Sequence, residues 1–189
     1  KTNMRKPGLA YFGKRHLTQE IIKQFKLGFA PADWNRLYKD FTQKKHIPEE
    51  ILVKAGLIGK KNGRCYDTFR NRCMFPIMDL RGKVVAFGGR ILNAEESHAK
   101  YLNSPETSIF NKRKLLFPIY QALPEIKKRR QAIMVEGYMD AISLHANGIK
   151  NAVASLGTAF TVEQARLLKK YADEVVFSYD MDSAGQNAT

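Results

Sequence analysis

Apolar residues recur at helical spacing through the first third of the chain and at strand spacing from Arg64 onward. Thr18 stands ahead of Ile21, Ile22 and Phe25, so it reads as the cap of a short helix, with Gly28 where that helix would stop. Asp33 reads as the cap of a second helix whose apolar face carries Trp34, Leu37, Tyr38 and Phe41. Pro48 suits the first turn of a third helix that ends at Gly56. Residues 69–77 and 84–91 then read as an antiparallel hairpin closed by Asp79-Leu80-Arg81-Gly82. Gly88 and Gly89 interrupt its second strand and predict a bulge there rather than a close approach by another group. Past Lys127-Lys128-Arg129-Arg130, read as a linker, apolar runs at 132–135, 151–154 and 174–179 alternate with helical patterns at 138–146 and 161–171. The second of these helices opens on a capping box, Thr161 with Gln164. A βαβαβ order of this kind makes adjacent parallel strands with right-handed crossovers. The fold class is therefore α/β, a mixed α+β unit followed by a parallel sheet.

Charge sharpens this division. Residues 1–134 hold 28 Lys and Arg against 11 Asp and Glu, a net of +17, whereas residues 135–189 hold 4 against 7, a net of −3. Lys and Arg neutralise phosphates, and clustered carboxylates need cations, so the split suggests a polyanion held by the first part and presented to metal ions held by the second. A generally basic protein would give the same total of +14. Cys65 and Cys73 fit neither a disulfide framework nor a four-ligand zinc site, which points to free thiols in a reducing compartment. No apolar stretch approaches the roughly 20 residues of a membrane span, and the expectation is a soluble, cytoplasmic protein with no membrane partner. The chain opens on Lys1 and stops at Ala188-Thr189 in what reads as the first turn of a helix, so a fragment of something longer is expected.

The acids fall where such sheets bind ligands, just beyond the carboxyl ends of the strands. Glu136 follows the first parallel strand, with Gly137 permitting a tight turn; Asp140 lies one helical turn on; Asp180 and Asp182 follow the third strand. Carboxylates converging from two strands repel one another, and a divalent cation relieves that repulsion. Mg²⁺ suits all-oxygen ligands and completes its shell with water and substrate phosphates. Taken singly, Glu136 and Asp180 read first as helix caps or first-turn acids favoured by the helix dipole; taken together they favour a metal site. A calcium loop is excluded, because Ala184 occupies a ligand position and a strand, not a helix, precedes it. On the basic side, Arg70 and Arg72 are two apart, so in a strand they share a face at roughly 6.6 Å, close to the spacing of successive phosphates; taken alone, the pair reads first as ordinary charges on a solvent-facing strand.

Glu136-Gly137-Tyr138-Met139-Asp140 with Asp180-Met181-Asp182-Ser183-Ala184-Gly185 resembles the TOPRIM domain of bacterial primases and topoisomerases. Upstream, Phe69-Arg70-Asn71-Arg72 through Phe75-Pro76-Ile77, then Phe87-Gly88-Gly89-Arg90, Tyr101-Leu102-Asn103-Ser104-Pro105-Glu106-Thr107 and Ala154-Ser155-Leu156-Gly157-Thr158, resemble motifs of bacterial replicative primases of the DnaG type, in the family's order. The opening, Tyr11 to Arg15 and Leu27-Gly28-Phe29-Ala30, is similar too, with His16 where glycine is expected; between the late aspartates Met181 stands where glycine is common in the family. The resemblance implies an RNA-polymerase core: a basic N-terminal subdomain over 1–118 facing a TOPRIM metal-binding subdomain over 119–189, the latter lacking its last acidic strand. It implies that Glu136, Asp180 and Asp182 are catalytic and hold Mg²⁺ or Mn²⁺ with support from Asp140. It also implies that Arg15, Arg70, Arg72, Arg90, Lys100, Asn103 and Lys112 bind nucleic acid or nucleotide.

The implied activity is synthesis of short RNA primers on a single-stranded DNA template from ribonucleoside triphosphates. The replicative helicase is the implied partner through a domain absent from this chain, as is a zinc-binding domain. The chain as it stands is expected to be weakly active or inactive. The alternatives are another TOPRIM enzyme, a topoisomerase or nuclease, and a nucleic-acid-binding module without turnover.

Overall fold

Two kinds of sheet appear where the spacing changes: an antiparallel one before residue 104 and a parallel one after residue 130. The computed structural model describes residues 6–92 and 99–180. Helix α1 spans Lys6–Lys14 and α2 Gln19–Gln24, followed by strand β1 at Gly28–Ala30. Thr18 caps α2 as the sequence predicts, its Oγ1 accepting from Ile21 N at 3.4 Å. Gly28 is not the stop: Lys26 takes the left-handed conformation instead, and Gly28 opens β1. Helix α1 went unread because Pro7, Gly8 and Gly13 weaken its pattern. Packing overrides them, and Gly8 lies so close to Phe29 that a Cβ would fall 2.8 Å from that residue's own.

The second predicted helix is α3, Arg36–Lys39, running on into a π-helical turn at Asp40–Lys44. Asp33 does not cap it. The carboxylate of the distant, buried Asp67 does, accepting from Leu37 N at 2.7 Å and Tyr38 N at 3.0 Å, while Asp33 pairs with Arg36 at 3.7 Å. Helix α4 is Glu49–Lys54, with Pro48 at its cap rather than in its first turn and Gly56 left-handed just past its end. Strands β2, Ile58–Lys61, and β3, Arg64–Asp67, form a hairpin around Asn62-Gly63, both at positive φ. That dipeptide is a strong hairpin signal, and it lay in the sequence unread.

The predicted long hairpin is β4, Arg72–Met78, with β5, Val84–Ile91; β6, Tyr101–Asn103, adds to β5, giving the order β1-β4-β5-β6. Asp79 Oδ1 closes the turn by accepting from Arg81 N and Lys83 N. The bulge is not at Gly88 and Gly89, which pair in unbroken register with Phe75 and Met74; the shift falls between Ile77 and Met78. Both glycines instead admit aromatic rings: a Cβ at Gly88 would lie 2.5 Å from Tyr138 Cζ, and one at Gly89 2.7 Å from Phe69 Cδ1.

Helix α5, Ile119–Arg129, includes most of the cluster expected to be a linker, and Arg130 ends it in the left-handed conformation. Then come β7, Gln131–Val135; α6, Tyr138–Ala146; β8, Ala152–Ala154; α7, Val162–Lys169; and β9, Glu174–Phe177. Both β8 and β9 run parallel to β7, which lies between them. One apolar cluster joins Phe12, Phe25 and Phe75 of the first unit to Tyr138, Ile142 and Leu156 of the second, so the two share a core. A second cluster, with Ile126, Met134 and Leu168, fills the space between α5, α7 and the parallel sheet. Among the described residues no helix is long and apolar enough to cross a membrane.

Candidate metal and nucleic-acid site

Parallel pairing of β9 with β7 brings their carboxyl ends side by side. The backbone N–H of Asp180 donates to Glu136 Oε1 at 2.8 Å, so the Glu136 carboxylate reaches the residue just beyond the tip of β9. Gly137 is in ordinary extended conformation, and what glycine supplies there is room, since a Cβ would fall 3.3 Å from Asp140 Oδ2. Its N–H donates to that oxygen at 3.0 Å, which fixes Asp140 at the head of α6. Burial raises the Asp140 carboxyl above its ordinary pKa; the Gly137 N–H bond opposes this, the Asp180 charge adds to it, and Arg15 opposes it. Asp182 lies outside the described residues. Among the described residues no group of three His, Cys, Asp or Glu side chains is gathered closely enough to hold a metal. The donors present are exposed, anionic and all oxygen, which fits a hard divalent cation.

Arginines and aromatic rings pair across the basic unit, and the Arg15 charge acts on Asp140. Arg90 lies 4.6 Å from the Tyr11 ring centroid and 6.0 Å from that of Tyr101, and Arg15 lies 5.8 Å from Tyr11. Arg70 sits 4.3 Å over the Trp34 ring and 5.4 Å from Tyr66, with its guanidinium donating to the Asp67 carbonyl. Trp34 does not belong to a buried helix face. It is 67% exposed and, with Tyr38, Lys61, Arg64, Tyr66 and Arg70, lines an open groove of about 1000 Å³. A neighbouring cavity of about 360 Å³ shares Trp34 and Arg70 and reaches Leu102 beside Tyr101. Sequence reasoning missed Trp34 and Tyr66 as surface groups. The usable signal was the chain's single tryptophan among Pro31, Asp33 and Asn35, residues that favour a turn.

Three expected ligand-binding residues differ from the reading. Arg70 and Arg72 do not share a strand face, because Asn71 takes positive φ and β4 begins only at Arg72. Arg72 is 6% exposed, its guanidinium donating to the carbonyls of Gly89 at 3.1 Å and Ala99 at 3.2 Å. Burial and the neighbouring Arg70 charge both lower its pKa. Asn103 has both ends of its amide engaged within the protein, Oδ1 with Tyr138 Oη at 2.6 Å and Nδ2 with the Leu156 carbonyl at 2.8 Å. Lys100 is exposed, and Lys112 is half-buried, its carbonyl accepting from Gln164 Nε2 at 3.1 Å. Cys73 is inert in the core, its thiol pushed up to about 12 by burial.

The family model described as "DNA primase catalytic core, N-terminal domain" matches residues 1–123. The chain belongs to the DNA primase catalytic-core family. A Toprim-like model matches residues 133–189. The DNA primase of Clostridium acetobutylicum is 51% identical over 179 residues, covering 95% of this chain and 29% of that protein; the DNA primase of Synechococcus elongatus is 48% identical, covering 92% and 25%. The chain thus spans under a third of the length of these relatives. Among solved structures, the Escherichia coli primase catalytic core superposes with a TM-score of 0.87 at 41% identity, covering 97% of this chain and 58% of that one. The RNA polymerase domain of Mycobacterium tuberculosis primase DnaG superposes at 0.89 with 36% identity, covering 97% and 62%. A DnaG primase catalytic domain bound to single-stranded DNA superposes at 0.86 with 41% identity, covering 96% and 56%.

Proposed function

We propose that this chain is the catalytic-core segment of an enzyme that makes short RNA primers on single-stranded DNA in the cytoplasm. In this reading the 3′-hydroxyl of one ribonucleotide attacks the α-phosphate of an incoming ribonucleoside triphosphate. A phosphorus–oxygen bond forms, the bond to the β-phosphate breaks, pyrophosphate leaves, and the hydroxyl proton passes to solvent. Glu136, Asp180 and Asp182 would hold Mg²⁺ or Mn²⁺, with Asp140 in support; bound there, the ion stabilises charge on the attacking and leaving oxygens.

The chain's own residues supply position and charge. Arg15 and Arg90, ordered against Tyr11 and Tyr101, face phosphates beside the acidic turn. Arg70 and Trp34 offer a cation and an open ring face to a single strand, a pairing that tolerates any base sequence. Lys100 and Lys112 add positive charge, whereas Arg72 serves the site by holding the carbonyls of Gly89 and Ala99 around it. The replicative helicase is a partner through a separate domain. The observation that supports this reading is the 2.8 Å bond from the Asp180 backbone N–H to Glu136, which joins the ends of β9 and β7 at one turn, with Asp140 within reach of the Asp180 and Arg15 charges. The test is incubation of a full-length primase carrying this sequence with template, ribonucleotides and Mn²⁺. Primers of a few nucleotides are expected, and a DNA mobility shift without product would replace the enzyme by a binding module.

A further inference from the structure

Tyr138 is the first residue of α6, two positions after Glu136 and two before Asp140. Its ring is 5% exposed and stacks on Phe75 at 5.1 Å and on Tyr101 at 6.0 Å, with the edge of Phe117 at 4.8 Å. It enters the antiparallel sheet over Gly88, where any larger residue would collide with it. Its hydroxyl donates to Asn103 Oδ1 at 2.6 Å, and the same amide donates from Nδ2 to the Leu156 carbonyl at 2.8 Å. Asn103 sits on β6 opposite Gly88, one residue beyond Leu102 and two beyond Tyr101. A single side chain therefore ties together three segments: the edge of the arginine-bearing sheet, the turn that carries Glu136 and Asp140, and the loop after β8.

We propose that Asn103 is a positioning residue, a latch that acts through Tyr138 to hold the acidic turn against the basic sheet, and not a nucleotide ligand. The inference rests on the polymerase reading for its effect on rate, but the latch itself does not. The Tyr138 hydroxyl is the donor of the latch bond, at 2.6 Å to Asn103 Oδ1. Tyr138→Phe removes only that donor and keeps the stacked ring. Misplacement of reacting groups by about an ångström lowers turnover by up to about a hundredfold, so a loosened turn should lower kcat by about tenfold.

The experiment compares Tyr138→Phe, Asn103→Ala and the double variant in a full-length primase carrying this sequence. All three are expected to lose about tenfold in kcat by the same factor, with nucleotide KM and single-stranded DNA Kd within about twofold of wild type, because two residues of one unit are not additive. A raised KM in Asn103→Ala with Tyr138→Phe at wild-type activity would overturn the latch and make Asn103 a nucleotide contact. Losses that multiply in the double variant would overturn it as well, as would unchanged kcat in both singles. Hydrogen exchange across residues 135–140 reads the latch without turnover: faster exchange in Tyr138→Phe supports it even if the wild type makes no primer, and unchanged exchange contradicts it. Should Asn103→Ala fail to fold, Tyr138→Phe alone decides through the kcat and KM split.

Discussion

Single residues divide the basic side of this molecule into groups that face solvent and groups that hold the fold. Trp34 and Arg70 face the groove, whereas Arg72 is buried on carbonyls although it lies only two positions further along the chain. The two groove residues should fail differently. Arg70→Ala is expected to weaken single-stranded DNA binding and to flatten the plot of log affinity against log salt by about 0.7, the loss of one phosphate contact. Trp34→Ala is expected to cost about 1–3 kcal/mol of binding through lost stacking with the salt slope unchanged. Fluorescence anisotropy across a salt series measures both, and an unchanged slope in Arg70→Ala removes that residue from the phosphate track. The arginine motif was legible in sequence, but its division was not. Local spacing cannot register that Asn71 turns to positive φ and reverses the alternation.

At the scale of elements, the parallel half was read almost whole and the helical half only in outline. Strands β7, β8 and β9 and helices α6 and α7 follow strong apolar periodicity, with the Thr161–Gln164 capping box as a local signal. Helix α3 was misread because its cap comes from Asp67, some thirty residues away in the chain. Asp67→Ala leaves the Leu37 and Tyr38 amides without that acceptor and is expected to destabilise the protein by about 2 kcal/mol. Asp67→Asn, with one carbonyl oxygen left, should lose about half of that. Denaturant midpoints report the two values, and equal stability across wild type and both variants would contradict the cap.

Helix α6 carries a pH-dependent term as well. His145 is 2% exposed, Nε2 donates to the Ala152 carbonyl at 2.9 Å, and burial lowers its pKa below the ordinary 6.5. As pH falls below 6.5 the unfolded chain takes up this proton before the folded one does. The stability that neutral His145 contributes is therefore complete above 6.5 and lost as pH drops through the window beneath it. Between about pH 7 and about pH 5, wild type should lose more melting temperature than His145→Gln, whose amide can still donate but does not titrate. Parallel losses would contradict the assignment.

For the molecule as a whole, the order of motifs resembles the family to which the chain belongs and the charge asymmetry agrees with it, while the joint between the two halves is not legible in the sequence. Gly88, Tyr138, Asn103 and Gly157 belong to four separate motifs, and only the fold brings them into contact. The glycines that suggested a bulge are openings for rings arriving from elsewhere, a distinction that depends on tertiary packing alone. The central claim is that acids from the tips of β7 and β9 form one cation-dependent centre for nucleotidyl transfer, separable from the surface that holds DNA. The most direct measurement is dinucleotide synthesis by Asp180→Asn in a full-length primase carrying this sequence, with single-stranded DNA affinity measured on the same sample. The expected result is loss of product to background with DNA affinity within about twofold of wild type, since neutralising an acid removes charge from the metal side only. Dinucleotide synthesis at the wild-type rate by Asp180→Asn would contradict the account.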